Sequence, residues 1–181
     1  MKELSKYFFV HTLLTLFVFF VWFSFLTTPL VRGYLDATFL NDISQGELYD
    51  LTNQTRILHG VGRLRVSTEL EKVAKLKLVD MFQNNYFAHT SPVGVEPWVW
   101  FRKSGYNYRM AGENLAKDFS SSEGVLNAWL SSESHSKNLL SKDFKEIGIA
   151  VGSGIIDGHK TVAVVQVFGT PQVVIDLVAK K

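Results

Sequence analysis

The most apolar stretch of the chain lies near its amino terminus, at residues 7–27. It contains no Asp, Glu, Lys or Arg and is rich in Phe, Leu and Val. A helix needs about 20 apolar residues to cross a bilayer, whereas the core of a cleaved signal peptide is shorter and precedes a small-x-small site. The pattern predicts a transmembrane signal-anchor at 7–27, between a cytoplasmic tail at 1–6 and a connector at 28–44. A cleaved signal peptide is the competing interpretation.

Charges on the two sides of this span predict its orientation. Lys2 and Lys6 precede it, and Arg32 follows it. Basic residues are enriched on the cytoplasmic side of membrane spans. We therefore expect a single-pass protein of the cell membrane whose carboxyl-terminal part is extracytoplasmic, with the membrane as its first predicted partner.

Beyond the connector, apolar residues recur with the period of a helix. One stripe begins at Gln45 and ends at His59-Gly60, where glycine favours the left-handed conformation that stops a helix. A second stripe begins at Thr68-x-x-Glu71, which has the form of a capping box, and ends at Asn84-Asn85. The inward face of the second helix is predicted to contain Leu70, Val73, Ala74, Leu78, Met81 and Phe82.

The middle of the chain predicts two further helices. Pro97 suits the first turn of a short helix that Gly105 stops. Ser120-x-x-Glu123 has the form of a second capping box. Residues 131–140 are predicted to form a polar, serine-rich turn.

The last part of the chain predicts β-structure. β-branched runs occupy residues 147–151 and 162–168, and Asp157-Gly158 between them is a hairpin signal. Two or three strands with an apolar face require cover, and four amphipathic helices supply it on both sides. The predicted fold class is α+β.

Composition excludes several kinds of function. Beyond residues 1–32, acidic and basic residues are equal in number, so nothing predicts the clustered Lys and Arg of a nucleic-acid surface. Cysteine is absent, which excludes thiolate metal ligands, cysteine nucleophiles and disulfides. A domain of ~130 residues buries enough surface to be stable without disulfides.

Three titratable residues carry the candidate chemistry: His89, Glu113 and His135. Two imidazoles and a carboxylate are a ligand set for a divalent metal such as zinc. They are equally suited to an acid/base pair in which Glu113 orients a histidine, or to a polar cluster that only shapes a cleft. Their spacing does not choose among these roles, because no two of them share a helix face at i, i+4.

The segments around these residues resemble the bacterial branch of the CAP superfamily, whose members contain an SCP-like extracellular domain. They are aromatic-x-His-x-Ser-Pro-x-Gly at His89, Gly-Glu-Asn-Leu-Ala at Glu113, and Trp-x-x-Ser-x-x-His-x-x-Asn-Leu-Leu at His135. The resemblance implies a CAP/SCP-like domain at 45–171, followed by a C-terminal tail at 172–181. It also implies a three-layer α-β-α sandwich with a small antiparallel sheet.

The resemblance further implies a cleft formed by His89, Glu113, His135 and Ser132. Eukaryotic relatives have a second Glu and a second His, whose positions fall here on Ser132 and Ala163. The tetrad of those relatives is therefore incomplete in this chain. Zinc or another divalent metal, held by His89, His135 and Glu113, is the candidate cofactor that the donor types themselves offer. The incomplete tetrad does not support carrying over the zinc chemistry of the eukaryotic relatives.

These features favour a binding module over an enzyme. We expect a membrane-anchored extracytoplasmic domain that binds a small apolar or cell-envelope ligand, such as a lipid, through its His/Glu cleft. The alternative is a divalent-metal-dependent hydrolase acting on envelope peptides or glycans. A serine hydrolase is disfavoured, because no serine lies in a Gly-x-Ser-x-Gly elbow.

Overall fold

The computed structural model describes residues 42–172. The predicted cytoplasmic tail, the membrane span at 7–27 and nearly all of the connector lie outside these residues, as do residues 173–181 of the predicted C-terminal tail. No helix between residues 42 and 172 combines the length and the apolar character that a membrane span requires.

Five helices and four strands form the described part of the chain. In chain order they are α1 (Gln45–Leu58), β1 (Arg65–Val66), α2 (Thr68–Gln83), α3 (Trp98–Ser104), β2 (Tyr108–Lys117), α4 (Ser122–Ser131), α5 (Glu133–Leu139), β3 (Glu146–Ile156) and β4 (His159–Pro171).

Helix α1 begins and ends where the sequence predicts. Ser44 has an extended backbone, and its side chain accepts a hydrogen bond from the backbone N–H of Glu47 at 3.1 Å. His59 is the C-cap residue, with its Nδ1 2.9 Å from the carbonyl oxygen of Thr55. Gly60 follows at φ +68°. The predicted end at His59-Gly60 is confirmed.

Both predicted capping boxes are wrong by one residue. Ser67, not Thr68, is the N-cap residue of α2, and Ser121, not Ser120, is that of α4. Each accepts a hydrogen bond from the backbone N–H three residues further on, at 3.4 Å and 3.1 Å. An N-cap requires an extended backbone, and where two hydroxyl residues are adjacent, the direction of the incoming chain decides which one has it.

Residues 131–140, predicted as a polar turn, contain a helix instead. Helix α5 follows Ser132, whose extended backbone separates it from α4. Lys137 lies 2.7 Å from Glu133 in an i, i+4 ion pair, and Leu139 is fully buried. Serine favours turns locally, but burial of an apolar residue on one face of the segment favours the helix.

The sheet is mixed, and the prediction of an antiparallel sheet is wrong in this respect. Its strand order is β1-β3-β4-β2. Strand β1 pairs in parallel with β3, whereas β3 with β4 and β2 with β4 are antiparallel. Asp157 and Gly158 join β3 to β4 with φ values of 51° and 77°, as a two-residue type I′ turn requires. The predicted hairpin is confirmed.

Strands β1 and β2 were not predicted. Strand β1 has only two residues, too few to give an alternating pattern. Strand β2 contains Gly112, Glu113 and Asn114, which are types that strands disfavour. Its pairing with β4 over most of its length overrides that local preference.

Helices lie on both faces of the sheet and bury two apolar cores. Val165 of β4 belongs to the core that α2 and α3 cover, and Val164 to the core that α1, α4 and α5 cover. This alternation follows from the two-residue period of a strand. Strand β2 lies at the end of the strand order, so side chains from both faces can meet at its open edge.

Candidate functional site

Glu113 lies on β2, at a point where the strand is closely packed. It is paired with Val167 of β4, and its side chain is only 3% exposed. The preceding residue, Gly112, has no room for a side chain. A Cβ there would lie 2.8 Å from the ring of Phe144 and 2.9 Å from Oδ1 of Asn138. The glycine of the Gly-Glu-Asn motif therefore allows α5 and the α5–β3 loop to pack against β2.

His89 forms a close pair with Glu113. Its Nδ1 lies 2.7 Å from Oε1 of Glu113, and its side chain is 54% exposed. An ionised carboxylate only accepts hydrogen bonds, so Nδ1–H is the donor in this pair. The neutral imidazole then has its lone pair on Nε2. The buried acid thus fixes the tautomer and orientation of an accessible histidine.

The loop that carries His89 is held by a buried lysine. Lys77 of α2 is fully buried, and its Nζ donates to Tyr86 Oη at 3.0 Å and to the carbonyl oxygens of Ala88 and His89, each at 2.7 Å. Burial lowers the pKa of Lys77, and the negative charges of Glu113 and Asp80 oppose that shift. This ammonium group fixes the backbone of the His89 loop from beneath.

Lys77 was not predicted, although the sequence contains a signal for it. It lies four residues after Val73 on the stripe predicted to face inward, and both are fully buried. A lysine at an inward helical position requires acceptors inside the protein. The carbonyl groups next to His89 are those acceptors.

Glu113 has one oxygen without a partner. Oε2 is buried, and no donor within residues 42–172 reaches it. Leaving such an atom unpaired costs about 1–3 kcal/mol. The carboxylate therefore has the capacity to accept one further hydrogen bond, from a water molecule or a ligand.

His135 reaches the site from α5, on the other face of the sheet. Its backbone carbonyl accepts a hydrogen bond from Nδ2 of the fully buried Asn114 at 3.2 Å. Asn114 also accepts from Asn138 Nδ2 at 3.0 Å and donates to Gln166 Oε1 at 3.2 Å. Asn114 and Gln166, which were not predicted, thereby connect α5 to the centre of the sheet.

The pKa of His135 is lower than that of an ordinary histidine. Partial burial is the main cause, and the positive charge of a protonated His89 is the second. His89 pairs with Glu113, and His135 lines a cavity that Phe87, two residues before His89, also lines.

A cavity of about 310 Å³ lies beside His135. Most of its wall is apolar. The apolar lining residues are Phe87, Leu115, Ala116, Phe119, Ala128 and Trp129, and the polar ones are Lys117, Ser132 and His135. Ser132 is therefore part of the same wall as His135. Glu133 is not, since it pairs with Lys137 at 2.7 Å.

The candidate donor set for a metal ion consists of two imidazoles and one carboxylate. Within residues 42–172, no group of three or more His, Cys, Asp or Glu side chains is arranged to hold one. Catalytic zinc sites usually have three protein ligands. Glu113 lies behind His89, where the outer-shell carboxylates of metal sites orient a ligating histidine. The described residues thus offer two imidazoles and not three ligands, and the zinc site stays a prediction.

The described domain is similar in sequence to a known protein family and to two proteins of Bacillus subtilis. Residues 49–168 match the family model described as CAP, the cysteine-rich secretory protein family. The chain is 40% identical over 111 residues to the protein YkwD of Bacillus subtilis, covering 61% of this chain and 43% of YkwD. It is 32% identical over 108 residues to the membrane protein YlbC of the same organism, covering 60% of this chain and 31% of YlbC.

Solved structures give the same result. An extracellular protein of Bacillus anthracis that contains an SCP domain is 33% identical, with a TM-score of 0.57 over 68% of this chain and 39% of that protein. An outer surface protein of Borrelia burgdorferi is 28% identical, with a TM-score of 0.60 over 70% of this chain and 92% of that protein.

The chain spans less than half the length of the Bacillus relatives described above, so the likeness to them is one of this domain. The family name refers to cysteine, which this chain lacks. The matched segment includes all three candidate residues, four helices and three strands in full, and most of α1 and β4. The chain belongs to the CAP family, and its described part is an extracellular-type CAP domain.

Proposed function

We propose that the domain is an extracytoplasmic binding module that takes a small ligand with an apolar body and a polar end. The observation that carries the proposal is the cavity of about 310 Å³ between Phe87, Leu115 and Trp129, with His135 and Ser132 in its wall. Ligand sites are typically apolar cavities of about 300–1,000 Å³ with a few well-placed polar groups.

The apolar body of the ligand contacts the aromatic wall in this proposal. The indole nitrogen of Trp129 donates to the carbonyl oxygen of Leu115 at 3.0 Å, which fixes the orientation of the ring in the wall. Trp129 is 1% exposed and Leu115 is 7% exposed, so this part of the wall is rigid. A preformed wall reduces the entropy that ligand binding costs.

The polar end of the ligand meets His135, which lies on the cavity wall. His89 and Glu113 pair outside the lining of this cavity. Lys117 also lines the cavity and is half-buried. A carboxylate head group accepts from Lys117 Nζ and from an N–H of His135, a hydroxyl group pairs with either side chain, and a wholly apolar ligand does neither.

The predicted anchor at 7–27 completes the proposal. It would hold the domain at the outer face of the cell membrane, where lipids and envelope fragments are the available ligands. The relatives of the chain include an extracellular protein and a membrane protein, which is compatible with that location.

The proposal is tested with dodecanoate as the probe, added to the full chain in a non-ionic detergent, with tryptophan fluorescence as the readout. Ala128→Leu adds volume to the cavity wall, whereas Asn127→Leu adds the same side chain at the neighbouring, exposed position of α4. We expect saturable binding to the wild type, at least about tenfold weaker binding to Ala128→Leu, and unchanged binding to Asn127→Leu.

Two results would reject the binding module. One is the absence of saturable binding to a folded wild type. The other is equal binding by the Ala128→Leu and Asn127→Leu proteins. Dodecanol, which lacks the carboxylate, separates the contribution of the head group, and its affinity should be less sensitive to His135→Ala than that of dodecanoate.

The hydrolase alternative retains one supporting observation, the His89–Glu113 pair. A carboxylate that orients a histidine is a common arrangement of a general base. This alternative predicts product release from purified cell-wall peptides or glycans that stops in His89→Ala, while the fold survives. A folded wild type that releases no product, with or without added zinc, would reject it.

A further inference from the structure

A second cavity lies away from the histidines, between the α1–β1 loop and the α5–β3 loop. It has a volume of about 320 Å³, and its walls include residues 60–62, Arg56, Arg63, Lys142 and Lys145. We refer to it as the basic pocket. Four of its lining side chains are cationic and none is acidic, and it shares no residue with the cavity beside His135.

Arg56 forms the floor of the basic pocket and is 1% exposed. Its Nε donates to the carbonyl oxygen of Gly62 at 2.8 Å, and Nη1 donates to that of Leu139 at 2.7 Å. A guanidinium has five N–H groups, so three of them have no acceptor within residues 42–172. These two bonds fix the plane of the group without neutralising its charge.

No carboxylate within residues 42–172 compensates Arg56. None of the ion pairs within residues 42–172 includes it, and burial alone lowers its pKa. Buried charges in proteins are normally paired. An unpaired buried guanidinium on the floor of a cavity therefore indicates an anionic ligand.

The rim of the basic pocket adds donors. The backbone N–H groups of Gly62 and Arg63 have no acceptor among the described residues. Arg63, Lys142 and Lys145 are exposed. Lys145 Nζ donates to the backbone carbonyl oxygen of Lys142 at 3.0 Å, whereas the charged groups of Arg63 and Lys142 are free to move toward a ligand.

We propose that the basic pocket binds a phosphate group. A guanidinium with a fixed plane matches the paired oxygens of phosphate, and consecutive backbone N–H groups beside cations form anion sites. A phosphate also has enough oxygens to use several of these donors at once. The phosphate is either free or the head group of an anionic phospholipid, and the experiment distinguishes the two.

The test uses the full chain in a non-ionic detergent, titrated in a calorimeter at constant ionic strength. Inorganic phosphate is the probe for the free ion, and water-soluble dihexanoyl phosphatidylglycerol is the probe for the head group. The test variant is Arg63→Gln with Lys142→Gln, since both side chains are exposed and neither supports the fold. The matched control is Lys160→Gln with Lys103→Gln, which removes the same charge from exposed residues outside the pocket.

We expect saturable binding of at least one probe, weakened about tenfold or more in the test variant and less than about twofold in the control. Whichever probe binds more tightly identifies the source of the phosphate. Arg56→Gln should abolish binding if it folds, and the test does not depend on it. Absence of saturable binding to the wild type, or equal loss in both double variants, would overturn the proposal.

Discussion

Replacing Lys77 by methionine tests whether the buried ammonium holds the His89 loop. Lys77 Nζ makes three hydrogen bonds, two of them to the carbonyl oxygens of Ala88 and His89 at 2.7 Å. Methionine has a similar length and no donor. The carbonyl groups of Ala88 and His89 would then lose their buried partner, while the cost of burying a charge would disappear.

The expected change in the free energy of unfolding of Lys77→Met follows from these opposing effects. Losing a partner costs a buried acceptor about 1–3 kcal/mol, and breaking a buried charged network costs about 3–5 kcal/mol. Ala88 and His89 are exposed residues, so water recovers part of the loss. We therefore expect Lys77→Met to lower the free energy of unfolding by about 2–4 kcal/mol.

Equilibrium unfolding in urea, followed by tryptophan fluorescence, measures this change. The control is Lys75→Met, which removes an exposed lysine from the same helix and should change the free energy of unfolding by less than about 0.5 kcal/mol. A second readout is the nitrogen NMR spectrum of His89, whose Nδ1–H tautomer should become less dominant in Lys77→Met. Equal stability of the Lys77→Met and Lys75→Met proteins would refute the reasoning.

Three further predictions concern packing, charge and the polar network. Gly112→Ala places a Cβ 2.8 Å from a ring atom of Phe144 and should lower the free energy of unfolding in urea by about 1–3 kcal/mol. Gly46→Ala, in an open helical position, should raise it by about 0.5–1 kcal/mol. A change of the same sign in both variants would contradict this reasoning. The pKa of His135 lies below its ordinary value of 6.5, so the unfolded chain is protonated first as the pH falls. The contribution of His135 to stability is complete above pH 6.5 and is lost as the pH falls through the lowered pKa. Thermal melts from about pH 8 to pH 5 should show this loss of stability. The loss should be smaller in His135→Asn. Asn114→Ala should cost about 2–3 kcal/mol in urea, because it leaves buried partners unpaired; a cost below about 0.5 kcal/mol would show that water replaces the network.

Local patterns predicted the elements whose signals lie within a few residues. The end of α1 at His59-Gly60 and the hairpin at Asp157-Gly158 are both confirmed, because glycine at positive φ acts on the backbone where it occurs. The buried stripe of α2 was also predicted, with the exception of Lys77. The N-cap residues of α2 and α4 were predicted less well, since adjacent hydroxyl residues give the same local signal. Strand β1 was missed because two residues are too few to give an alternating pattern.

The family was predicted from three motifs, and the match over residues 49–168 confirms it. The same motifs named His89, Glu113 and His135 but did not reveal what holds them. Lys77 and Asn114 act through contacts with residues 12 and 21 positions away in the sequence. No local pattern specifies contacts of that kind.

By itself the sequence determined four of the five helices, the hairpin, the family and the identity of the candidate residues, because each depends on periodicity, turn chemistry or motif. Only the tertiary structure decided that β2 is a strand and that Glu113 lies behind His89. It alone placed the cavity of about 310 Å³ beside His135 and left Arg56 without an acid partner in the described part of the chain. The physical reason is that burial, pairing and the meeting of distant side chains arise only when the elements pack together.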